Sequence, residues 1–234
     1  MKRVLFLGLG RIGLPTALLS SNKLNKIIGY DINTKLIQNL KRGILSFNEV
    51  KIKKLLINKI KQKKISFTNN IVSSDIYVIS VPTPLKKNNK ADLSHVIDCI
   101  NKIITVLKEG DLIILESTVP IGTTDLIKST IDKKLSSLKN KFFLSYCPER
   151  ILPGDTLKEL KSNARIIGGI NNKSNQLSIN FYKSFLKVNY YKTNSKIAEM
   201  IKLSENSYRD TNIAFANELM RIAAACAAMN RVAE

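Results

Sequence analysis

Val4-Leu5-Phe6-Leu7-Gly8-Leu9-Gly10-Arg11-Ile12-Gly13, followed by Ile27-Ile28-Gly29-Tyr30-Asp31, is the stretch that decides the fold of this 234-residue chain. Val4 to Leu7 is a short continuous apolar run, the pattern of a buried strand. It enters a G-x-G-x-x-G turn, Leu14 to Ser20 reads as a helix, and Ile27 to Tyr30 reads as a second strand. That strand ends in an acidic residue about 20 positions beyond the turn. Each part has a mechanical task. Gly8 permits the tight turn, Gly10 lets the backbone approach a pyrophosphate, and Gly13 lets the helix pack close to the strand. The helix N-terminus offers N–H groups and partial positive charge to phosphates. Asp31 accepts hydrogen bonds from a ribose diol and repels a 2′-phosphate, so the reading is a dinucleotide site that favours NAD over NADP.

Outward from this stretch the alternation continues. Thr34 to Lys41 reads as a helix, Asn48 to about Gln62 as a lysine-rich helix, and Ile65 to Phe67 as a short strand. Ile76 to Val81 is a buried strand ending in Pro82-Thr83-Pro84, and Asp92 to Leu107 is a helix stopped by Gly110. Leu112 to Leu115 is a strand, and Pro120-Ile121-Gly122-Thr123-Thr124 opens the next helix. Phe142 to Tyr146 and Arg165 to Gly169 complete the strands. The spacing predicts an α/β fold with a Rossmann-like, doubly wound parallel sheet, whose ligands sit at the carboxyl ends of the strands. From Ser195 the pattern changes. Lys196 to about Met229 has few breakers and an apolar helical period, so residues 1–194 read as one unit and 195–234 as the start of a second, helical one.

Composition bounds the rest. The chain is 44% hydrophobic and 24% charged, the balance of a globular protein. No apolar run approaches the ~20 residues that span a bilayer, and Val4 to Leu9 is too short for a signal-peptide core, so the expected location is the cytoplasm with no membrane partner. A net charge of +20 invites a nucleic-acid reading. The excess is mostly Lys spread along the chain, and the densest run, Lys51 to Lys64, alternates with Ile and Leu at helical spacing. It reads as the solvated face of an amphipathic helix, and no nucleic-acid partner is expected. The single histidine, His95, excludes a multi-histidine metal site, and no metal is expected. Cys99, Cys147 and Cys226 are widely spaced and odd in number, as suits reduced thiols, and each reads as a buried, inert one.

On the long helix, Lys202, Asn206, Arg209 and Ile213 follow at spacings that share one face. Ile201, Leu203, Ile213, Ala214 and Phe215 flank them, so the helix is expected to be largely buried. Asn206 and Asn217 suit a helix interior poorly unless their amides have a task.

These segments together resemble the UDP-glucose/GDP-mannose dehydrogenase family. The resemblance rests on Gly8–Gly13, Asp31, Val81-Pro82-Thr83-Pro84, Glu116-Ser117-Thr118-Val119-Pro120 with Gly122-Thr123, Pro148-Glu149-Arg150 and Lys202-Leu203-Ser204-Glu205-Asn206. Tyr146 to Gly154 and Glu205 to Glu218 look most like the branch acting on UDP-N-acetyl-D-mannosamine. UDP-glucose dehydrogenases usually carry Pro-Glu-Phe with a further glutamate four residues on, where this chain has Pro153. The resemblance implies oxidation of a sugar C6 alcohol through an aldehyde to a carboxylate with two NAD+. It implies cofactor contacts at Ile12, Asp31, Thr83 and Thr118, and substrate contacts at Arg150, Ile151, Lys202, Asn206 and Arg209. Lys202 would be the general acid/base or oxyanion stabiliser, Asn206 would orient the reacting oxygen or water, and Glu149 would be a base, an orienting group or a structural ion-pair partner. It also implies a homodimer through the long helix.

The family captures its aldehyde on a Cys in a glycine-rich motif downstream of that helix. This chain ends at Glu234, before the motif would appear, and is therefore expected to be part of a longer protein that carries the second nucleotide-sugar domain. The alternatives are an inactive NAD-binding or dimerising remnant, a UDP-glucose 6-dehydrogenase, and a two-electron hydroxyacid dehydrogenase of the 6-phosphogluconate type. The Glu116–Thr118 and Pro148–Arg150 motifs argue against the last.

Overall fold

The computed structural model describes residues 2–22, 25–87, 89–151 and 155–232, with backbone alone from 228 onward. The elements in chain order are β1 (Lys2–Leu7), α1 (Gly13–Ser20), β2 (Asn25–Tyr30), α2 (Thr34–Lys41), α3 (Val50–Lys61), β3 (Ile65–Thr68), β4 (Ile76–Ile79) and α4 (Ser94–Ile104). They continue with β5 (Leu112–Leu115), α5 (Thr123–Lys134), β6 (Phe143–Tyr146), α6 (Thr156–Ser162), β7 (Arg165–Gly169), α7 (Asn172–Lys183), β8 (Tyr190–Asn194) and α8 (Ser195–Val232). One sheet orders the strands β3-β2-β1-β4-β5-β6-β7-β8. The order reverses between β1 and β4, so the glycine turn after β1 and the Val81–Pro84 loop after β4 flank the crevice where open α/β sheets take their ligands.

Strand residues point alternately to two covered faces. Val4 and Phe6 of β1 join a core with Leu14, Ile37, Ile52 and Ile179, and Leu5 and Leu7 join one with Ile100, Ile103, Ile127 and Ala198. The sheet is therefore sandwiched by α1, α2, α3 and α7 on one side and by α4, α5 and the start of α8 on the other. The lysine-rich helix behaves as its spacing predicts: Ile52 and Leu56 are buried on α3 while Lys51, Lys53, Lys54 and Lys61 are exposed.

Two expectations need correction. The sheet is not wholly parallel: β7 pairs antiparallel with β6, through Ser145 with Gly169 and Tyr146 with Gly168. Strand β8, parallel to β7, together with α6 and α7, lies in a stretch whose polar, lysine- and asparagine-rich sequence gives weak periodicity. The long helix is also not largely buried. Ala198 and Glu199 are fully buried against the sheet, but every residue from Ser207 to Ala227 is exposed, including Ile213, Ala214, Phe215 and Asn217. With 38 residues α8 is about 57 Å long at the ordinary helical rise, far longer than the sheet it starts on. Its apolar stripe runs past every other described element of this chain. Cys226 lies on that stretch and is exposed, against the expectation of a buried thiol, whereas Cys99 and Cys147 are buried.

Candidate active site

The glycine turn is built by packing. Gly8 has φ +95°, and a Cβ there would lie 2.4 Å from the Ser80 carbonyl oxygen of the neighbouring strand end. A Cβ on Gly13 would lie 2.0 Å from the Gly8 carbonyl oxygen, so α1 can start this close only without a side chain. Gly10 faces open space, with nothing within 4 Å of where its Cβ would be. The turn thus has two closed sides and one open one, which suits a diphosphate approaching the start of α1. Asp31, half-buried at the end of β2, accepts hydrogen bonds from the Leu9 N–H at 3.0 Å and the Asn33 N–H at 2.9 Å. Its carboxylate is thereby fixed beside the turn. Across the crevice the Thr83 hydroxyl donates to the Thr118 carbonyl at 2.6 Å, joining the loops after β4 and β5. The donor set fits a dinucleotide: an open glycine cradle, a positioned carboxylate and two hydroxyls at the carboxyl ends of β1, β2, β4 and β5.

Next to this edge lies a buried ionic cluster. Arg165 is 4% exposed, with its guanidinium 3.4 Å from Glu149, 3.8 Å from Glu116 and 4.9 Å over the Tyr182 ring. Glu116 accepts hydrogen bonds from the Ser80 hydroxyl at 2.6 Å and the Tyr182 hydroxyl at 2.7 Å. Burial pushes the Glu116 carboxyl above its usual range, partly opposed by Arg165. Burial by itself would lower Arg165, but Glu149 and the other surrounding groups hold it above its ordinary value, so it remains a cation. Burial also keeps the Tyr182 hydroxyl well above its usual value and hence a donor to Glu116. The antiparallel direction of β7 makes the cluster possible, because it places Arg165, the first residue of that strand, at the level of the carboxyl ends of β5 and β6.

Glu149, in the loop after β6, is 8% exposed and accepts from the Arg150 N–H at 2.7 Å. Arg150 turns its fork onto Glu205 of α8, with Nε 2.9 Å from Oε2 and a second contact through Nη2. Burial lowers Lys202 below its usual value, with Glu149 and Glu205 pulling it up and Arg209 and Arg150 pushing it down. Lys202 is therefore a half-buried ammonium between two carboxylates and two guanidinium groups. A groove of about 500 Å3 farther along α8 is lined by Arg150, Glu205, Tyr208, Arg209, Asn212 and Ile213, and Lys202 and Asn206 are not part of its lining. Asn206 is half-buried one turn beyond Lys202, and Ile151 is half-buried at the end of the Glu149 loop. Leu152, Pro153 and Gly154, part of the resemblance, lie outside the described residues.

Glu199 fastens α8 to the cofactor side. It is fully buried and accepts from the Gly122 N–H at 2.6 Å, the Thr124 N–H at 2.8 Å and the Thr124 hydroxyl at 2.6 Å. A carboxylate at the N-terminus of α5 satisfies donors that the helix cannot, and complements its dipole. Glu199→Gln keeps the shape but replaces one acceptor with an amide donor facing N–H groups. It should lower unfolding free energy by about 2 kcal/mol in urea titration. A change below about 0.5 kcal/mol would mean the cap contributes little.

A sequence profile of the NAD binding domain of the UDP-glucose/GDP-mannose dehydrogenase family matches residues 2–186, and one of that family's central domain matches residues 196–233. The chain belongs to the UDP-glucose/GDP-mannose dehydrogenase family. It is 42% identical over 226 residues to the UDP-N-acetyl-D-mannosamine dehydrogenase of Methanococcus maripaludis, covering 95% of this chain and 51% of that protein. The UDP-N-acetyl-D-mannosamine dehydrogenase of Pyrococcus horikoshii superposes with a TM-score of 0.87 at 36% identity, covering 92% of this chain and 52% of that one. The one from Staphylococcus aureus gives a TM-score of 0.88 at 35% identity, covering 94% and 54%. The chain spans about half the length of the curated relatives it matches.

Within this family member the structure gathers Gly8, Gly10, Ile12, Gly13, Asp31, Thr83 and Thr118 along one stretch of sheet edge. It gathers Glu149, Arg150, Lys202 and Arg209 where α8 passes the β6 loop. Sequence reasoning missed Arg165, Tyr182, Glu199 and Glu205 as parts of the site. A signal existed for two of them. Arg165 is a cation opening the apolar run Ile166-Ile167, which demands a buried partner, and Glu205 stands one turn from Lys202. Nothing local marks Tyr182 or Glu199, whose partners are 66 and 75 residues away.

Proposed function

We propose that the chain is the cofactor-binding and central-helix part of an NAD-dependent dehydrogenase. It would oxidise the C6 alcohol of a UDP-sugar, UDP-N-acetyl-D-mannosamine, to the uronate in two hydride transfers. Residues 1–194 form the NAD-binding unit in this reading and residues 195–234 the start of the central helical one. What supports it is the placement of two sets of groups: Asp31, Thr83 and Thr118 at the carboxyl ends of the sheet strands, and Lys202 among Glu149, Glu205, Arg209 and Arg150 where α8 passes the loop after β6. The relatives named above support the choice of sugar.

When bound, NAD+ accepts the hydride from the sugar carbon. The protein's own groups do the rest. Lys202 faces the reacting oxygen, holds negative charge as it develops and exchanges its proton, and a half-buried ammonium does so more strongly than an exposed one. Asn206 orients that oxygen or a water. Arg209, Arg150 and Ile151 line the substrate side, with the Arg209 guanidinium offering paired donors to diphosphate or sugar oxygens and Arg150 held against Glu205 until it exchanges that partner for substrate. Glu149, adjoining Arg165, orients the substrate loop or accepts a proton. The second oxidation requires the aldehyde to be captured by an activated thiol. Burial pushes Cys99 up to about 12 and Cys147 up to about 11, and Cys226 lies on the exposed run of α8, so this reading assigns the thiol to none of the three. The exposed Ile213, Phe215, Leu219, Met220 and Ile222 of α8 would pair two chains as a homodimer.

Asp31→Ala should raise the Kd for NAD+ about tenfold, by loss of charged hydrogen bonds to the ribose, and narrow the preference for NAD+ over NADP+. Isothermal titration with both cofactors checks this, and two unchanged constants would remove Asp31 from the site. For the reaction, two NADH formed per UDP-sugar is the expected stoichiometry. One NADH from a simple hydroxyacid would overturn the reading.

A further inference from the structure

The side-chain donors of Arg150 are occupied within the protein itself. Its Nε donates to Glu205 Oε2 at 2.9 Å, its Nη2 faces Oε1 of the same carboxylate, and its Nη1 donates to the Ala164 carbonyl at 3.3 Å. Both oxygens of Glu205 are thereby engaged by one fork, the geometry in which a planar guanidinium holds a carboxylate most firmly. The pair is nevertheless not a buried one. Each side chain is 31% exposed, so the two can part without either charge being stranded in the core. The Arg165 guanidinium, 4% exposed, has no such freedom.

The main chain of Arg150 is anchored separately from its fork. Its N–H donates to Glu149 Oε1 at 2.7 Å, and its carbonyl accepts from Asn163 Nδ2 at 3.0 Å. The side chain can therefore turn while the loop after β6 stays in place. Arg209 stands four residues after Glu205, on the same face of α8, and lines the same groove. Among the described residues no carboxylate lies within ion-pair distance of Arg209. One groove thus holds a guanidinium without a counter-ion and a second one gripped by a carboxylate. An anion of two or more charges attracts both, and takes the second only by displacing Glu205. The displaced carboxylate has a place to go, because Lys202 precedes it by three residues on the same helix, a spacing at which opposite charges pair.

We propose that Glu205 is a positioning residue that competes with the substrate for Arg150, holding the guanidinium ready beside α8 and yielding it to a diphosphate. The inference rests on the reading that Arg150 and Arg209 contact the UDP-sugar, and adds to it the group that sets how readily Arg150 is released. A ligand that must first open the pair binds less tightly, in proportion to the fraction of time for which Arg150 is free. An uncharged sugar hydroxyl does not offset that loss. A diphosphate does, because it offers paired anionic oxygens in the geometry the fork already prefers. The exchange therefore favours nucleotide-linked sugars over free ones.

Steady-state kinetics of the turnover-competent protein at saturating NAD+ test it, with the UDP-sugar that it oxidises as the varied substrate and UDP as a dead-end inhibitor. Glu205→Gln should lower the KM for the sugar nucleotide and the inhibition constant of UDP about fivefold, and leave the KM for NAD+ unchanged. UDP undergoes no chemistry, so its constant separates affinity for Arg150 from any effect on kcat through the neighbouring Lys202. Glu205→Asp, which keeps the charge on a shorter arm, should give a partial gain. Arg150→Ala should raise both constants about tenfold, and in that background Glu205→Gln should change neither by more than about twofold. A pair that served structure alone would not tighten binding when broken. Unchanged or higher constants in Glu205→Gln would make it a permanent strut between α8 and the loop after β6, and overturn the exchange. An equal gain with and without Arg150 would show plain repulsion of the diphosphate by Glu205, and overturn the competition. Unchanged constants in Arg150→Ala would remove Arg150 from the substrate side and overturn the inference, while two NADH per UDP-sugar would leave the dehydrogenase reading standing. Absence of turnover with every UDP-sugar in the wild type would overturn both.

Discussion

Arg165→Met should lower the unfolding free energy by about 3–5 kcal/mol, the largest stability effect expected of any single change here. The guanidinium sits between Glu116 and Glu149, both nearly inaccessible to solvent, and over the Tyr182 ring. Removing it leaves carboxylate charge in the core without a counter-ion, and methionine fills the space without supplying one. The loss should depend on pH in a defined direction. Burial already holds the Glu116 carboxyl above its unfolded value, so its contribution is present in full below the unfolded pKa and is lost as pH rises through the folded one. Without Arg165 the folded value moves higher still, and more stability is lost at high pH. Urea titrations should therefore show a deficit that is largest near about pH 8 and shrinks toward about pH 5. Adding Glu116→Gln to Arg165→Met should recover a substantial part of the loss. A deficit that is flat across this range, or unrelieved by Glu116→Gln, would mean that lost packing rather than stranded charge is responsible.

Lys202→Ala should reduce turnover by about 10³-fold or more in the turnover-competent protein while leaving the Kd for NAD+ unchanged. In the proposed reaction, the charge that develops on the reacting oxygen has, among the described residues, no other half-buried lysine on this face of α8 to meet. The neighbouring Arg150 is already forked onto Glu205. Lys202→Arg should not restore activity, because a planar guanidinium is larger and gives up its proton far less readily. The same burial has a stability consequence of opposite sign. Lys202 is held below its ordinary value, so its charged form is disfavoured in the fold, and stability rises as pH increases through the folded value. Lys202→Met should accordingly raise the melting temperature of the ligand-free chain at neutral pH, as expected if the proposed chemistry keeps this lysine at the expense of stability. Stopped-flow NADH absorbance and calorimetric melting read the two effects separately. Near-normal turnover would remove Lys202 from the mechanism, and a lowered melting temperature would show that its stem packs better than its charge costs.

Half of the candidate site was legible in the sequence because its determinants are local. Gly8, Gly10, Gly13 and Asp31 lie within one strand-turn-helix-strand unit, and Thr83 and Thr118 follow apolar runs that can only be buried strands. The Lys202, Asn206 and Arg209 face follows from helical spacing. Arg165, Tyr182 and Glu199 were not legible in the same way. Each acts through a partner on another element, and sequence spacing carries no information about contacts of that range.

By itself, then, the sequence determined the glycine turn, the alternation of strands and helices, the solvated lysine face of α3 and the start of a long helix at Ser195. These depend on periodicity and backbone sterics within a few residues of one another. The tertiary structure decided the direction of β7, because an apolar strand carries no mark of whether its neighbour runs with it or against it. That direction brings Arg165 to the carboxyl edge instead of the opposite one and so creates the buried ion cluster beside Glu149. The structure also decided the exposure of α8. An apolar stripe records that a surface must be covered, but the helix outruns the sheet of its own chain, and from Ser207 onward no other described element is there to cover it.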